Sequence, residues 1–167
     1  MDYATLLTLK ADFEGLNPAQ AEAKGRELYR TLYLDGEAPF GIREAHDAAK
    51  VIFHLSGQYG FDHGFFTSSD LVGHPERKDI LDYGRIERMP WIGPVIRGEV
   101  QTVEYRKENF WRAGKLLYRR LYILPQEGYV VWVQPEARGD WTFGTAYIPK
   151  PARLAEYRRK TLLMRVL

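Results

Sequence analysis

Residues 116–148 read LLYRRLYILPQEGYVVWVQPEARGDWTFGTAYI, and this stretch decides the fold. Three runs rich in β-branched and aromatic side chains, Leu116–Leu124, Tyr129–Gln134 and Trp141–Ile148, alternate with short polar breaks. Such runs bounded by turn formers are strand signals. Gln126-Glu127-Gly128 makes one tight turn, and Ala137–Asp140 turns the chain again. Val100–Arg106 adds a fourth strand just upstream. Short loops between consecutive strands favour an antiparallel meander. A four-stranded antiparallel sheet is therefore expected over residues 96–150.

Upstream of the sheet the hydrophobic period lengthens to that of a helix. Residues 3–13 read as a short helix. Asn17 is a good cap and Pro18 suits a first turn, so a second helix is expected to run to about Leu34, ended by Asp35-Gly36. Ile42, Ala45, Ala49, Ile52 and Phe53 recur at helical spacing and predict a third helix over 42–55. It would carry His46, Lys50 and His54 as a stripe four residues apart. Ser56–Phe66 (SGQYGFDHGFF) reads as an irregular loop. His74-Pro75 opens a helix through PERKDILDY that Gly84 would close. Beyond the sheet a basic helix starts near Pro151.

The expected architecture is α+β, with N-terminal helices packed on a C-terminal four-stranded antiparallel sheet and a C-terminal basic helix. One domain is expected over residues 1–167. It divides into a helical part (1–55), an irregular or helical connection (56–95), the sheet (96–150) and the last helix (151–167). A length of 167 residues with 45% hydrophobic content suits one domain with its own core. No cysteine is present, so disulfides and thiolate zinc sites are excluded and a cytoplasmic, reducing setting is expected. No apolar run approaches the roughly 20 residues needed to span a bilayer. The start, MDYATLLTLKADFEG, lacks a basic segment and a small-residue cleavage site, and no signal peptide is read there.

The net charge of +2 conceals an uneven distribution. Residues 1–50 hold six Lys/Arg against nine Asp/Glu, a net of −3, and the remainder carries +5. Residues 150–165 hold Lys150, Arg153, Arg158, Arg159, Lys160 and Arg165 against Glu156 alone. A basic half points to a polyanion partner, with a solvated helix face as the plainer explanation. Aromatics reach 14% of the chain, enough to fill a core and still line a groove on which bases stack.

Walker, dinucleotide-binding and nucleophile-elbow motifs are all missing. His46, His54, Asp62, His63 and His74 have no metal-ligand spacing, and neither a metal nor another cofactor is expected. Strict alternation would put Trp141, Phe143, Thr145 and Tyr147 on one face of the last strand. In the strand 116–124, Tyr118, Arg120 and Tyr122 share a face, and Leu117, Arg119, Leu121 and Ile123 share the other. Rings from Tyr118, Tyr122 and Trp132, a guanidinium and hydroxyls together suit a single-stranded nucleic acid. Trp141 and Phe143 fit the core better than Thr145 and Tyr147 do.

RNA cleavage by the 2′-hydroxyl needs a base, an acid and cations for the phosphate charge. Histidine suits the first two tasks. His63 is the first candidate, since Asp62 beside it would orient it; His74 is the second. Arg85 and Arg88 lie close enough in GRIERMPWIG to act as one cationic pair, with salt bridging to Glu87 or Asp82 as the equally weighted plainer reading.

The series HPERKDILDYGRIERMPWIGPVI, LLYRRLYILP, EGYVVWVQ and WTFGTAYIP resembles the phage and toxin ribonucleases grouped as barnase–EndoU–colicin–RelE-like, over roughly residues 60–150. The resemblance implies helices before a four-stranded antiparallel sheet and a metal-independent endoribonuclease. It implies an upstream histidine, His63 or His74, a basic strand residue, Arg119 or Arg120, and Thr145 with Tyr147 near the last strand. Substrate contacts would then come from His74, Arg85, Arg88, Tyr118, Tyr122 and Trp132. RNA, with tRNA among the candidates, is the expected partner, along with a protein inhibitor or a component of the host RNA machinery. Two other readings stand beside it. One is a non-catalytic module that binds RNA or its machinery, and the other is a phage or defence accessory protein with a purely structural sheet.

Overall fold

A computed structural model describes residues 1–35, 41–136 and 139–167. Asp2 caps α1 (Tyr3–Thr8) through a bond from the Thr5 amide. Asn17 and Gln20 form a reciprocal capping box that starts α2 (Pro18–Tyr29), which continues as a wider π turn over Arg30–Leu34. Gly36, and the turn residues Ala137 and Arg138, lie outside the described residues.

The expected helix over 42–55 is absent. Its residues form two short strands, β1 (Ile42–Arg43) and β2 (Lys50–Ile52), paired antiparallel across a tight turn. Within that turn the Glu44 carboxylate accepts from the Asp47 amide at 2.5 Å, and Asp47 accepts from the Ala49 amide at 3.0 Å. Acidic side chains that bond their own backbone compete with helix, and Ala48 adopts a left-handed φ of 58°. The helical spacing of Ile42, Ala45, Ala49 and Ile52 is therefore coincidental. The next stretch differs as well: α3 (Phe61–Phe65) replaces the expected loop, and PERKDILDY forms no helix. It leads into β4 (Ile80–Leu81), which pairs with β3 (Phe66–Thr67). Helix α4 (Tyr83–Glu87) and α5 (Ile92–Ile96) follow, linked by a 3-10 turn at Met89–Trp91.

The sheet corrects the expected architecture most. It is a curled, mixed, seven-stranded sheet, not a four-stranded antiparallel one under a helical layer. Strands β5 (Glu104–Arg112), β6 (Lys115–Leu124), β7 (Tyr129–Pro135) and β8 (Trp141–Tyr147) form the meander. β2 adds to β8 in parallel and brings β1 with it. At the other edge, the chain leaves α6 (Pro151–Lys160) and ends in β9 (Leu162–Val166), antiparallel to β5. The order is β1-β2-β8-β7-β6-β5-β9. Ala113 and Gly114 close the β5–β6 hairpin with φ of 49° and 72°, the left-handed pair that a two-residue turn demands. No helix among the described residues is long and apolar enough to cross a membrane.

One face of the sheet carries the main core. Tyr105, Tyr122, Leu124, Val131, Val133 and Phe143 meet Phe53, Phe61, Phe65, Trp91 and the α5 side chains there. The opposite face has a smaller cluster, Leu121, Ile123, Val130 and Trp132, roofed by Leu154 and Tyr157 of α6. Arg120 points into the main core side and is 1% exposed. Its guanidinium makes a bidentate pair with Asp47 at 2.8 and 2.7 Å, lies 3.3 Å from the buried Glu44 and covers the Trp141 ring. This pairing holds the Asp47 carboxyl well below the usual range, while burial pushes Glu44 up. Arg120 thus pins the β1–β2 turn to the middle of the sheet.

Removing one member of a buried charge cluster costs about 3–5 kcal/mol, because its partners stay buried without compensation. Arg120→Met is expected to lose that much in urea titration. Exchanging Glu44 and Asp47 for apolar or small residues in the same chain is expected to recover most of it. A single variant as stable as wild type would show that the cluster does not anchor the turn.

Candidate active site

The site owes its composition to one unpaired residue. Trp132 pairs with Thr145, but the next pair along is Val133 with Phe143, so Gly144 is an extra residue in β8. A one-residue bulge inverts the alternation of every side chain beyond it. Trp141 and Phe143 accordingly face the main core, whereas Thr145 and Tyr147 face the other side of the sheet beside Trp132 and Val130. The expected common face for these four residues is corrected by the bulge. A Cβ on Gly144 would come within 3.2 Å of the Trp132 carbonyl oxygen, which explains the glycine.

Helices α3 and α4 pack against this end of β8. Phe61 and Phe65 anchor α3 in the core, and Gly64 lets it approach the sheet: a Cβ there would sit 3.0 Å from the Phe143 ring. His63, on the other side of α3, is left half-buried with Tyr59 against its ring at 5.4 Å. It lines a polar cavity of about 220 Å³ with Arg119, Trp132, Thr145 and Tyr147. Arg85 of α4 donates to Thr145 Oγ1 at 3.4 Å and to the Gly64 carbonyl at 3.3 Å, and it lies over the Tyr147 ring. Burial, with Lys78 and Arg85 nearby, lowers the His63 pKa. Lys78 is itself shifted down by burial and by Arg85. Burial, reinforced by the bond to Tyr157, pushes the Tyr147 phenol up. A neutral imidazole, a protonated phenol and several cations thus surround one space.

The other wall belongs to β5, β6 and α6. Arg119 pairs with Glu108 at 2.6 Å and stacks over Trp132 at 4.9 Å, while its buried Nε has no hydrogen-bond partner. Arg153, Glu156, Tyr157 and Lys160 project from α6 into the same cavity, with Glu156 bonded to both Arg153 and Lys160.

His63, Arg85, Arg119, Trp132, Thr145 and Tyr147 are therefore brought together. The remaining candidates lie elsewhere. Arg120 is locked in its buried cluster, and Tyr122 is a core residue bonded to Glu44 at 2.8 Å. Tyr118 packs on Trp141 on that same side. Arg88 sits next door, bonded to the Gly84 carbonyl at 3.0 Å and lining a smaller cavity of about 190 Å³ with Arg85 and Tyr147. His74 is exposed in the loop before β4. Asp62 does not orient His63, because it is paired with Arg26 at 2.6 Å. Among the described residues no three His, Asp or Glu side chains gather as a metal site would require.

Sequence reading missed Lys78 and Glu108, which no local pattern marks. It placed Arg153, Tyr157 and Lys160 on a basic helix without seeing that the helix folds back over the sheet. Comparison with known proteins adds no assignment: no family model, no curated protein and no solved structure matches this chain.

An anion is expected to bind beside Arg85, where it reaches Thr145 Oγ1 of the His63 cavity. At ten times its dissociation constant, phosphate is expected to stabilise the fold by about 1.4 kcal/mol relative to chloride at matched ionic strength. Thermal melts of wild type and Arg85→Met check this. The variant is expected to lose most of the stabilisation, and an identical response in both proteins would remove Arg85 from the anion site.

Proposed function

We propose that this protein is an endoribonuclease that cleaves RNA by internal attack of the 2′-hydroxyl. One observation carries the reading: His63, Arg119, Thr145 and Tyr147 line a single cavity. His63, held neutral, takes the proton from the 2′-hydroxyl as that oxygen attacks phosphorus. The bond from phosphorus to the 5′ oxygen breaks, leaving a 2′,3′-cyclic phosphate. Tyr147, kept protonated by burial, delivers a proton to the departing oxygen. Arg85, Lys78 and Arg119 stabilise the charge that builds on the phosphoryl oxygens. Thr145 positions Arg85 through its hydroxyl. The internal nucleophile makes a metal unnecessary in this scheme. The resemblance to barnase–EndoU–colicin–RelE-like ribonucleases belongs to the same proposal, as do a cytoplasmic setting, tRNA as one substrate and a protein inhibitor as a partner.

A second reading, a non-catalytic RNA-binding protein, draws on the stacking of Arg119 over Trp132 and of Arg85 over Tyr147. Cation–ring pairs of this kind bind single strands without chemistry. Incubating the protein with total RNA and with tRNA in excess EDTA, then mapping 3′ ends, separates the two. Cleavage to cyclic phosphate ends is expected. His63→Ala should lower the rate by about 10²–10⁴, the usual contribution of a general base. Intact RNA with salt-sensitive retention would instead support binding alone.

The pH profile gives a further test. A base works in its neutral form, so kcat/KM rises as His63 loses its proton. Its pKa is lowered, so the acid limb is expected to fall below the ordinary histidine value of about 6.5. Lys78→Met removes one of the charges that lower it and should move the limb to higher pH. An unmoved limb would detach Lys78 from the base.

A further inference from the structure

A second cavity is larger than the one just described. A space of about 680 Å³ lies further along the same face, beside His54, Tyr59, Arg112, Lys115, Leu117 and Glu136. That volume falls within the range of small-molecule sites, roughly 300–1,000 Å³. Its polar groups are organised, since His54 Nε2 bonds the Glu136 carboxylate at 2.9 Å. A third cavity of about 430 Å³ joins the two. It shares Gln58, Tyr59 and Arg112 with the large cavity, and Arg119 and Gln134 with the His63 cavity.

The strand register explains why the three line up. Lys115, Leu117 and Arg119 are alternate residues of β6, and their partners across the ladder are Arg112, Phe110 and Glu108. All of them share one face. Cations and rings therefore follow one another along the groove: Lys115 with Arg112, then Phe110 with Tyr59, then Arg119 with Trp132. Lys115 and Arg119 are four residues apart, about 14 Å along a strand. A ligand filling both ends must be an oligomer. A basic groove interleaved with rings is the arrangement that tracks a single strand, phosphates on the cations and bases on the rings.

Resting on the ribonuclease reading, we propose that these cavities form one track for single-stranded RNA, with the 680 Å³ cavity holding a nucleobase remote from the cleaved bond. There the Glu136 carboxylate accepts from a base N–H, Tyr59 offers its ring, and Arg112 and Lys115 hold the adjoining phosphates. The substrate is then an unpaired oligonucleotide segment, since stacked and paired bases present no free face to the rings.

A 2′-O-methyl decanucleotide tests the track apart from the chemistry, because it lacks the attacking hydroxyl. Its affinity is measured by fluorescence anisotropy over a range of salt concentrations, against a duplex of the same sequence. Wild type is expected to prefer the single strand at least tenfold. The double reversal Arg112→Glu/Lys115→Glu should weaken single-strand binding at least tenfold and flatten the salt slope by about 1.4, the value for two single-strand phosphate contacts. Both side chains are exposed beside the hairpin turn, and a far-ultraviolet spectrum checks that the variant is folded. Failure of wild type to bind the decanucleotide, equal affinity for the duplex, or an unaffected double variant each overturns the track. A wild type that binds in this way but cuts no RNA overturns the ribonuclease reading instead. One that cuts RNA while the reversal leaves decanucleotide binding unchanged overturns the track alone.

Discussion

The extra residue at Gly144 governs how this molecule is used. Side chains on a strand alternate between faces, and that period has no tolerance for insertion. Because β8 carries one unpaired residue opposite Trp132 and Val133, its first half builds the core and its second half builds the cavity. Phe143 closes against α3, while two residues later Thr145 reaches Arg85 on the opposite side. Without the bulge, Thr145 would follow Phe143 inward and an apolar side chain would turn out toward α6. The cost of the irregularity is a local break in the ladder. It is offset by the packing of Phe143 and Ala146 on one face and of Tyr147 under α6 on the other.

The same geometry separates two adjacent arginines. Arg119 and Arg120 differ by one position and so face opposite ways. Arg120 enters the core side, where a buried guanidinium needs its charge compensated. Asp47 and Glu44 compensate that charge through Nη1 and Nη2, while Nε is left without a hydrogen-bond partner, and the β1–β2 turn is thereby tied to β6. Arg119 pairs with Glu108 and lies over the Trp132 ring, on the face that lines the His63 cavity. The first arginine after Tyr118 faces the cavity, and the second is committed to the fold.

This division marks what could be read from the sequence. The long strands β6, β7 and β8 were legible as runs of β-branched and aromatic residues between turn formers and lie within one residue of their expected limits, whereas β5 spans Glu104–Arg112 where Val100–Arg106 was expected. The Asn17 cap was legible for the same local reason. Elements of two or three residues, such as β1 and β2, are too short to display a period, so alanines at helical spacing outweighed them. β9 escaped because its residues are exposed on both faces and no burial pattern distinguishes them from the preceding helix. Among site residues, Thr145 and Tyr147 were singled out with the wrong facing, because a bulge leaves no trace in a two-residue period. Lys78 and Glu108 depend wholly on tertiary placement.

The charge asymmetry of the chain also takes on a physical meaning. Two acids of the first part, Glu44 and Asp47, pair with Arg120, and Asp62 further along pairs with Arg26. Pairing of this kind neutralises cations on the core side of the sheet. On the other side cations are paired as well, Arg119 with Glu108 and Arg85 with Asp82, while Arg112 and Lys115 flank an open hairpin turn and Lys78 and Arg85 lie near His63. Burial of the imidazole, and after it the like charges of Lys78 and Arg85, lower the His63 pKa. Such crowding persists only where the fold is stable enough to bear it, and an anionic ligand would relieve it. The cations that, alongside burial, lower the His63 pKa are the ones that would attract an anion to this cavity.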